Sequence, residues 1–339
     1  MVRPTLETVA RAAGVSRQTV SNVLNAPDRV ATGTRDRVHS AIDRLGYRPS
    51  LAARQLRTRR STTLAMRMEP ARDGINGVVL DRFLHAVADS AQDAGYRVLL
   101  YTAGDDQREI AEFSELLSTS GIDGVVLTST HHGDPRTAWL TEHRVPFSTF
   151  GRPWGTETAA HPWVDVDGAA GTRRAVDHLA GRGHRRIGFL GWPAGSGVGD
   201  DRREGWRQGL AAAGLTASPA WDLAVPDGTA EGTEATARLL AVTDPPTAMV
   251  CASDSLALGA LVALERGGAR EALAVVGFDD TPVAAAVGLT SVAQPLAETA
   301  HACVAQVLEA VTGTGPATQH VLLEPALVER DSTATPCSP

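Results

Sequence analysis

The chain has no lysine; all 32 of its basic side chains are arginine. A coding bias toward arginine accounts for this, and no function is drawn from it. The absence does bear on Gly195-Ser-Gly-Val-Gly199, which has neither the lysine nor the spacing of a phosphate-cradling P-loop. Cysteine is scarce: Cys251, Cys303 and Cys337 are odd in number and lack metal-ligand spacing, so they read as buried or free thiols. His131, His132, His161 and His184 show no ligand pairing, and no Ser/His/Asp or paired-carboxylate arrangement stands out. No metal, no cofactor and no enzymatic activity are therefore expected. No run approaches the roughly 20 apolar residues of a membrane span. Residues 1–7 lack the apolar core of a signal peptide, so the expected location is the cytoplasm, at the nucleoid, with no membrane partner.

What is present is unevenly distributed. The net charge is −7 over 339 residues, yet residues 1–60 hold twelve arginines against Glu7, Asp28, Asp36 and Asp43. A basic arm on an acidic body suggests nucleic-acid contact confined to the arm. The length calls for two or three domains, and an apolar content of 43% supports a real core.

Within the arm, Leu6, Val9, Ala10 and Ala13 recur at helical spacing, with Thr5 as N-cap and Gly14 as terminator. Ser16 caps a second helix to about residue 25, with Val20, Val23 and Leu24 inward. Arg17, Gln18, Ser21 and Asn22 then face outward near its start. A third helix, about 32–45, closes a small core with Val38, Ala41, Ile42 and Leu45. This is a helix-turn-helix, whose second helix enters the major groove. Arg17 suits a guanine edge; Gln18 or Asn22 suits an adenine or a phosphate. Pro49 breaks the chain direction, and Ser50 caps a further segment too short to be a stable helix alone in water.

Taken together, Thr5-Leu6, Val9-Ala10, Ala13-Gly14-Val15-Ser16, Thr19-Val20-Ser21, Asn25, Val30, Thr34-Arg35, Val38, Leu45-Gly46-Tyr47, Pro49, Ala52-Ala53 and Leu56 resemble the headpiece of the LacI/GalR family of bacterial transcriptional regulators. The resemblance implies base reading by Arg17, Gln18 and Asn22. It implies backbone-positioning contacts from Thr5, Ser16, Thr19, Ser21, Asn25, Thr34 and Tyr47. It makes residues 49–60 a hinge helix that folds on DNA, with Ala53 and Leu56 approaching the minor groove. Leu56 would be an apolar wedge at a flexible base step. Ser50 departs from the family pattern, which more often has Asn there.

Beyond residue 61 the pattern alternates strands and helices. Strands are expected near 63–68, 97–101, 124–128, 146–150, 186–190, 247–251 and 274–278. Helices are expected near 80–95, 107–118, 137–143, 168–182, 202–213, 231–241 and 255–266. The rhythm argues for parallel sheets covered on both faces. The expected architecture is an all-α headpiece (1–48) and hinge (49–60), then a two-lobed α/β core (61–330) built like periplasmic binding proteins, then a polar tail (331–339). Lobe 1 is expected at about 61–160 and 292–322, lobe 2 at about 163–289. The core also resembles the effector-binding region of the same family. It does so through Val164-Asp-Val-Asp-Gly168, Arg202-Arg-Glu-Gly205-Trp206, Ser253-Asp254, Val276-Gly-Phe-Asp279-Asp280 and Gln294-Pro295.

That resemblance implies a cleft in which Arg202 grips hydroxyls or a carboxylate, with Ser253, Asp279 and Gln294 as polar contacts from strand ends. At position 253 the family more often has Asn. Asp254 reads as structural, capping the helix from residue 255. Trp154, Trp163 and Trp192 stand in or near loops at the cleft, where indoles stack on sugar rings. Trp206 reads as a core residue. Glu69, at the end of the first strand, offers a hydroxyl acceptor. A mono- or oligosaccharide is the first expectation; a nucleoside or other small polar molecule is the alternative. The resulting expectation is a homodimeric repressor of carbohydrate-use genes, bound to a near-palindromic double-stranded operator and released by a sugar effector. A sugar-binding receptor without DNA function is the competing class. The chain carries no terminal leucine heptad, so no tetramer is expected.

Overall fold

The computed structural model describes residues 4–47, 60–69, 77–119, 121–155, 160–315 and 319–334. It divides into two compact units, Met1–Ser61 and Thr62–Pro339.

The first unit contains α1 (Leu6–Ala13), α2 (Arg17–Asn25) and α3 (Thr32–Leu45). Local chemistry sets their ends. The Thr5 hydroxyl accepts from the Thr8 amide while the Thr8 hydroxyl accepts from the Thr5 amide at 2.8 Å, a reciprocal capping box. Gly14 stops α1 in the left-handed conformation at φ 65°. Ser16 starts α2 by accepting from the Thr19 amide at 3.0 Å. Val9, Ala10, Ala13, Val20, Val23, Val38, Ala41 and Tyr47 close the core, with Val15 packed against them from the turn.

The second unit holds two six-stranded sheets. The first runs β11 (His320–Leu323), β5 (Trp163–Val166), β4 (Phe147–Phe150), β3 (Gly124–Leu127), β1 (Thr63–Arg67), β2 (Arg97–Tyr101), all parallel. The second runs β12 (Ala326–Val328), β10 (Thr290–Ala293), β9 (Ala274–Phe278), β8 (Ala248–Cys251), β6 (Ile187–Gly191), β7 (Asp222–Ala224), with only β12 antiparallel.

Side chains alternate across the first sheet as the pleat requires. Leu64, Met66 and Val126 face α4 (Val78–Asp93) and α12 (Leu296–Thr312). Ala65, Val125 and Leu127 face α5 (Asp106–Thr119) and α6 (Pro135–Glu142). The second sheet is covered by α7 (Gly168–Gly181), α8 (Gly197–Ala212), α9 (Thr229–Leu240) and α10 (Asp254–Arg266), followed by the short α11 (Pro282–Ala286).

Several boundaries differ from the sequence expectation. β5 begins at Trp163 but belongs to the first sheet, so lobe 2 starts only after it; β10 belongs to the second sheet. Strand pairing decides lobe membership, and local pattern does not carry it. α12 is absent from the expected helices although Ala300, Cys303, Val304 and Val307 keep helical spacing. α8 begins at Gly197, five residues before the expected start, because Ser196 caps it. Residues 331–334 are no loose tail: the Ser332 hydroxyl donates to the Val275 carbonyl at 2.6 Å, and Thr333 is 1% exposed against Thr290. The hinge segment, with Ala53 and Leu56, lies outside the described residues.

One buried charge network ties the first lobe together. Glu109, fully buried on α5, accepts from Arg67 at 2.6 Å, from Arg136 at 2.8 Å and from the Tyr101 hydroxyl at 2.8 Å. Removing the carboxylate would take away the acceptor of Tyr101, while Arg67 keeps Glu69 and Arg136 keeps Asp134 and Asp106. Glu109→Ala is expected to cost about 1–3 kcal/mol, read as a lower urea midpoint; an unchanged midpoint would contradict this account.

Candidate functional site

The outward face of α2 carries Arg17, Gln18, Ser21, Asn22 and Asn25, opposite the buried Val20 and Val23. Arg17 and Gln18 are exposed; Ser21 and Asn22 are half-buried. The Gln18 amide donates to the Asn22 side-chain carbonyl at 3.0 Å, and the Asn25 amide donates to the Ser21 carbonyl at 2.7 Å. These bonds order the face before any partner arrives. Thr5 and Ser16 spend their hydroxyls on caps, and Thr19 bonds the Ser16 hydroxyl at 2.9 Å. Thr34 is half-buried on α3. Tyr47 is 8% exposed and packs into the core, where burial pushes its phenol up, opposed by Arg17. Most of its ring therefore belongs to the fold.

In the second unit the C-terminal ends of the strands from both sheets frame a cavity of about 290 Å³. Trp154, Trp192, Arg202, Asp279 and Gln294 all line it. Arg202, from α8, is 5% exposed. Its guanidinium carbon lies 3.6 Å from the centroid of Phe278 and 5.4 Å from that of Trp192. One terminal nitrogen donates to the Ala252 carbonyl; the other lies 3.5 Å from Asp279. Asp279 also accepts from the Gln294 amide at 2.7 Å. Burial pushes its carboxyl up to about 7, with Arg202 and Gln294 opposing. Asp279 and Asp280 both hold positive φ, 107° and 46°. Such strain persists where the surroundings fix it: the Asp279 amide donates to the Val292 carbonyl and the Asp280 amide to the Ser291 hydroxyl.

The opposite wall turns on Arg152, just beyond β4. Its side chain donates to Asp165 at 2.7 Å and to Asp201 at 2.8 Å, and its guanidinium lies 4.7 Å from the Trp154 ring. Asp165 comes from β5 in the first lobe and Asp201 from α8 in the second, so Arg152 bridges the lobes. Burial pushes the Asp165 carboxyl up, opposed by Arg152.

Among the described residues, three buried N–H groups on lining residues have no hydrogen-bond partner: Trp154 Nε1, Trp192 Nε1 and Arg202 Nε. Unmet donors at that depth cost about 1–3 kcal/mol each. A ligand rich in oxygen acceptors would satisfy them by drawing these side chains toward the cavity.

Three expected contacts stand elsewhere. Trp163 opens β5 and stacks on His320 with centroids 4.8 Å apart. In a parallel sheet whose C-terminal ends face the cavity, a strand's first residue lies at the far edge. Ser253 caps α10, accepting from the Leu256 amide at 3.2 Å, and donates to Asp227. Asp227 is the one of the pair that lines the cavity. Glu69 is held by Arg67 and accepts from Ser129 at 2.9 Å; Ser129 is the lining residue. Asp254 does not cap α10. It accepts from the Thr281 amide at 2.7 Å and the Ser291 hydroxyl at 2.6 Å, a structural role in another place. Trp206 is fully buried and donates to the Ile187 carbonyl at 3.2 Å, a core residue as expected.

Sequence reasoning missed Asp165, Asp201, Asp227 and Phe278 of the lining, and Arg152, which ties Asp165 to Asp201. Asp165 lay in a quoted motif, yet its direction needs the strand assignment of β5. Asp201 lay beside Arg202, one helical step round.

The fold and cavity define a two-lobed ligand receptor whose N-terminal unit is a helix-turn-helix. The model "Bacterial regulatory proteins, lacI family" matches residues 5–50, and "Periplasmic binding protein-like domain" matches residues 176–333. The HTH-type transcriptional regulator CelR of Thermobifida fusca is 36% identical over 97% of this chain and 98% of its own length. The HTH-type transcriptional repressor CytR of Escherichia coli K12 is 30% identical over 97% and 96%. Among solved structures, a CelR–cellobiose complex aligns at TM-score 0.72 with 32% identity, covering 97% of this chain and all of that one. A lac repressor dimer bound to operator and the anti-inducer ONPF aligns at 0.82 with 25% identity, covering 98% and 100%. The chain belongs to the LacI family of bacterial transcriptional regulators.

Asp201→Ala would leave Arg152 tied to the first lobe alone. A stability loss of about 1–3 kcal/mol is expected, with a changed near-ultraviolet signal from Trp154; thermal unfolding and circular dichroism check both.

Proposed function

We propose that this chain is a homodimeric repressor whose hold on a near-palindromic operator is released by a saccharide in the cavity between the lobes. The observation that carries the effector class is the trio of unmet donors on Trp154, Trp192 and Arg202, set among aromatic rings and the Asp279 carboxyl. Sugars present many oxygen acceptors, hydroxyl donors and an apolar ring face, which suits this set. The likeness to CelR, solved with cellobiose, supports the same reading. Asp279 and Gln294 take hydroxyls, Arg202 gives its free Nε–H, and the indoles stack. Trp163, Ser253 and Glu69 are left out of direct contact, in view of where they sit.

On the DNA side, Arg17, Gln18 and Asn22 read bases, while Ser16, Thr19, Ser21 and Asn25 position the backbone. Residues 49–60 form the hinge that couples the lobes to the operator, with Leu56 as the wedge. Ligand shifts the lobe arrangement, and the hinge helices part; the coupling needs a ligand affinity difference of about 1–3 kcal/mol between the two states. The chain acts in the cytoplasm and is not an enzyme.

Fluorescence anisotropy with its own promoter region tests this. A salt-dependent preference over random DNA, weakened by a binding sugar, is expected; no preference would sink the regulator role. Arg17→Ala is expected to cost about 1–3 kcal/mol and relax selectivity at one base pair.

The raised Asp279 pKa gives a pH signature. Above about 7 the carboxyl is ionised and becomes the stronger, charge-assisted acceptor of hydroxyl hydrogens. Sugar affinity should therefore rise from pH 6 to pH 8 with its midpoint near 7, and Asp279→Asn should flatten the profile. In the empty cleft the sign is opposite for stability. The folded state binds the extra proton between the unfolded value and about 7, so stability falls as pH rises through that window. Calorimetric titration at several pH values checks the first effect.

A further inference from the structure

At the start of α8 the backbone gives no reason for glycine at positions 197 and 199, unlike Gly195 just before them at φ 96°. Gly14, Gly151 and other turn glycines hold positive φ; Gly197 and Gly199 do not. Both lie in the first turn of α8, where glycine costs a helix up to about 1 kcal/mol relative to alanine. Something other than conformation keeps them bare.

The reason is space. A Cβ at Gly197 would lie 2.1 Å from the Trp154 ring, and one at Gly199 would lie 2.9 Å from the Trp192 ring. Real Cβ atoms do not come that close to a ring. The two indoles that line the cavity are therefore seated on one bare helical turn. Trp192 follows β6 in the same lobe as α8, so its seat is internal to that lobe. Trp154 follows β4 in the first lobe, so its seat crosses between lobes. Trp154 also meets the Arg152 guanidinium, 4.7 Å from its ring centroid. The indole thus touches a cation from its own lobe and a glycine from the other.

We propose that Gly197 is a specificity-determining residue of the effector site: its missing side chain decides whether a tryptophan from the first lobe can form a wall of the cleft. This rests on the reading of the cavity as a saccharide site and deepens it. With any larger residue at 197 the indole must leave its seat, and the cleft loses one of its two indole faces or closes less far. Two indoles on one turn make a cleft suited to ligands with more than one apolar ring face, such as disaccharides.

The test is a double-mutant cycle in the full chain, with Gly197→Ala, Trp154→Ala and the pair, and cellobiose and glucose as probes. Gly181→Ala, at the C-terminal end of α7 where a Cβ meets open space, is the control. Gly197→Ala is expected to lower Tm by about 3 °C or more and to weaken cellobiose binding at least tenfold, with glucose affected less. In the Trp154→Ala background the same change should lower neither quantity, since the clash is gone and alanine is the better helix former. Equal losses in both backgrounds, or no loss in either, would overturn the proposal. If the wild-type chain bound no sugar, the saccharide reading would fall, while the melting cycle would still decide whether Gly197 seats Trp154.

Discussion

The parallel run of the strands constrains everything else in the core. Eleven of the twelve described strands point their C-terminal ends the same way within their sheets. Each strand therefore releases its chain toward the cavity, and loop or helix residues placed there meet without long excursions. Arg152 and Trp154 follow β4, Trp192 follows β6, and Asp279 follows β9. The same constraint excludes Trp163, which has the right side chain at the wrong end of β5.

Charge is placed so that neither lobe carries an unmet burden. Glu109 collects two arginines and a phenol inside the first lobe, and Arg152 collects one carboxylate from each lobe. Around Arg202 the satisfaction is incomplete: one carbonyl, one distant carboxyl, two aromatic faces and a free Nε–H. Single unmet atoms also occur inside the lobes, at Thr128, His184 and Thr236, but at the cavity three unmet N–H groups gather on residues that line one space.

Much of this was legible from residues alone. Thr5, Gly14 and Ser16 mark helix ends through interactions within four residues, so the headpiece reads directly. The strand–helix rhythm reads for the same reason. What escaped depends on pairing between distant segments. β5 and β10 exchange lobes relative to expectation because hydrogen-bonded neighbours, not local pattern, assign them. Ser253 was placed correctly at a strand end, but the helix beginning there uses its hydroxyl first. Arg152 and Asp201 find each other across 49 residues, and no periodicity announces such a pair.

The chain passes between the sheets after β5, after β10 and again after β11. This threading has a consequence for synthesis. The first sheet is begun at residue 63, yet α12 and β11, which cover and extend it, follow about 230 residues later. At roughly 5–20 residues per second, Leu64 and Met66 stay without their α12 neighbours for about 10–50 seconds. The headpiece, complete by residue 47, has no such wait. A nascent chain of this protein thus carries a finished DNA-reading unit well before it carries a finished receptor.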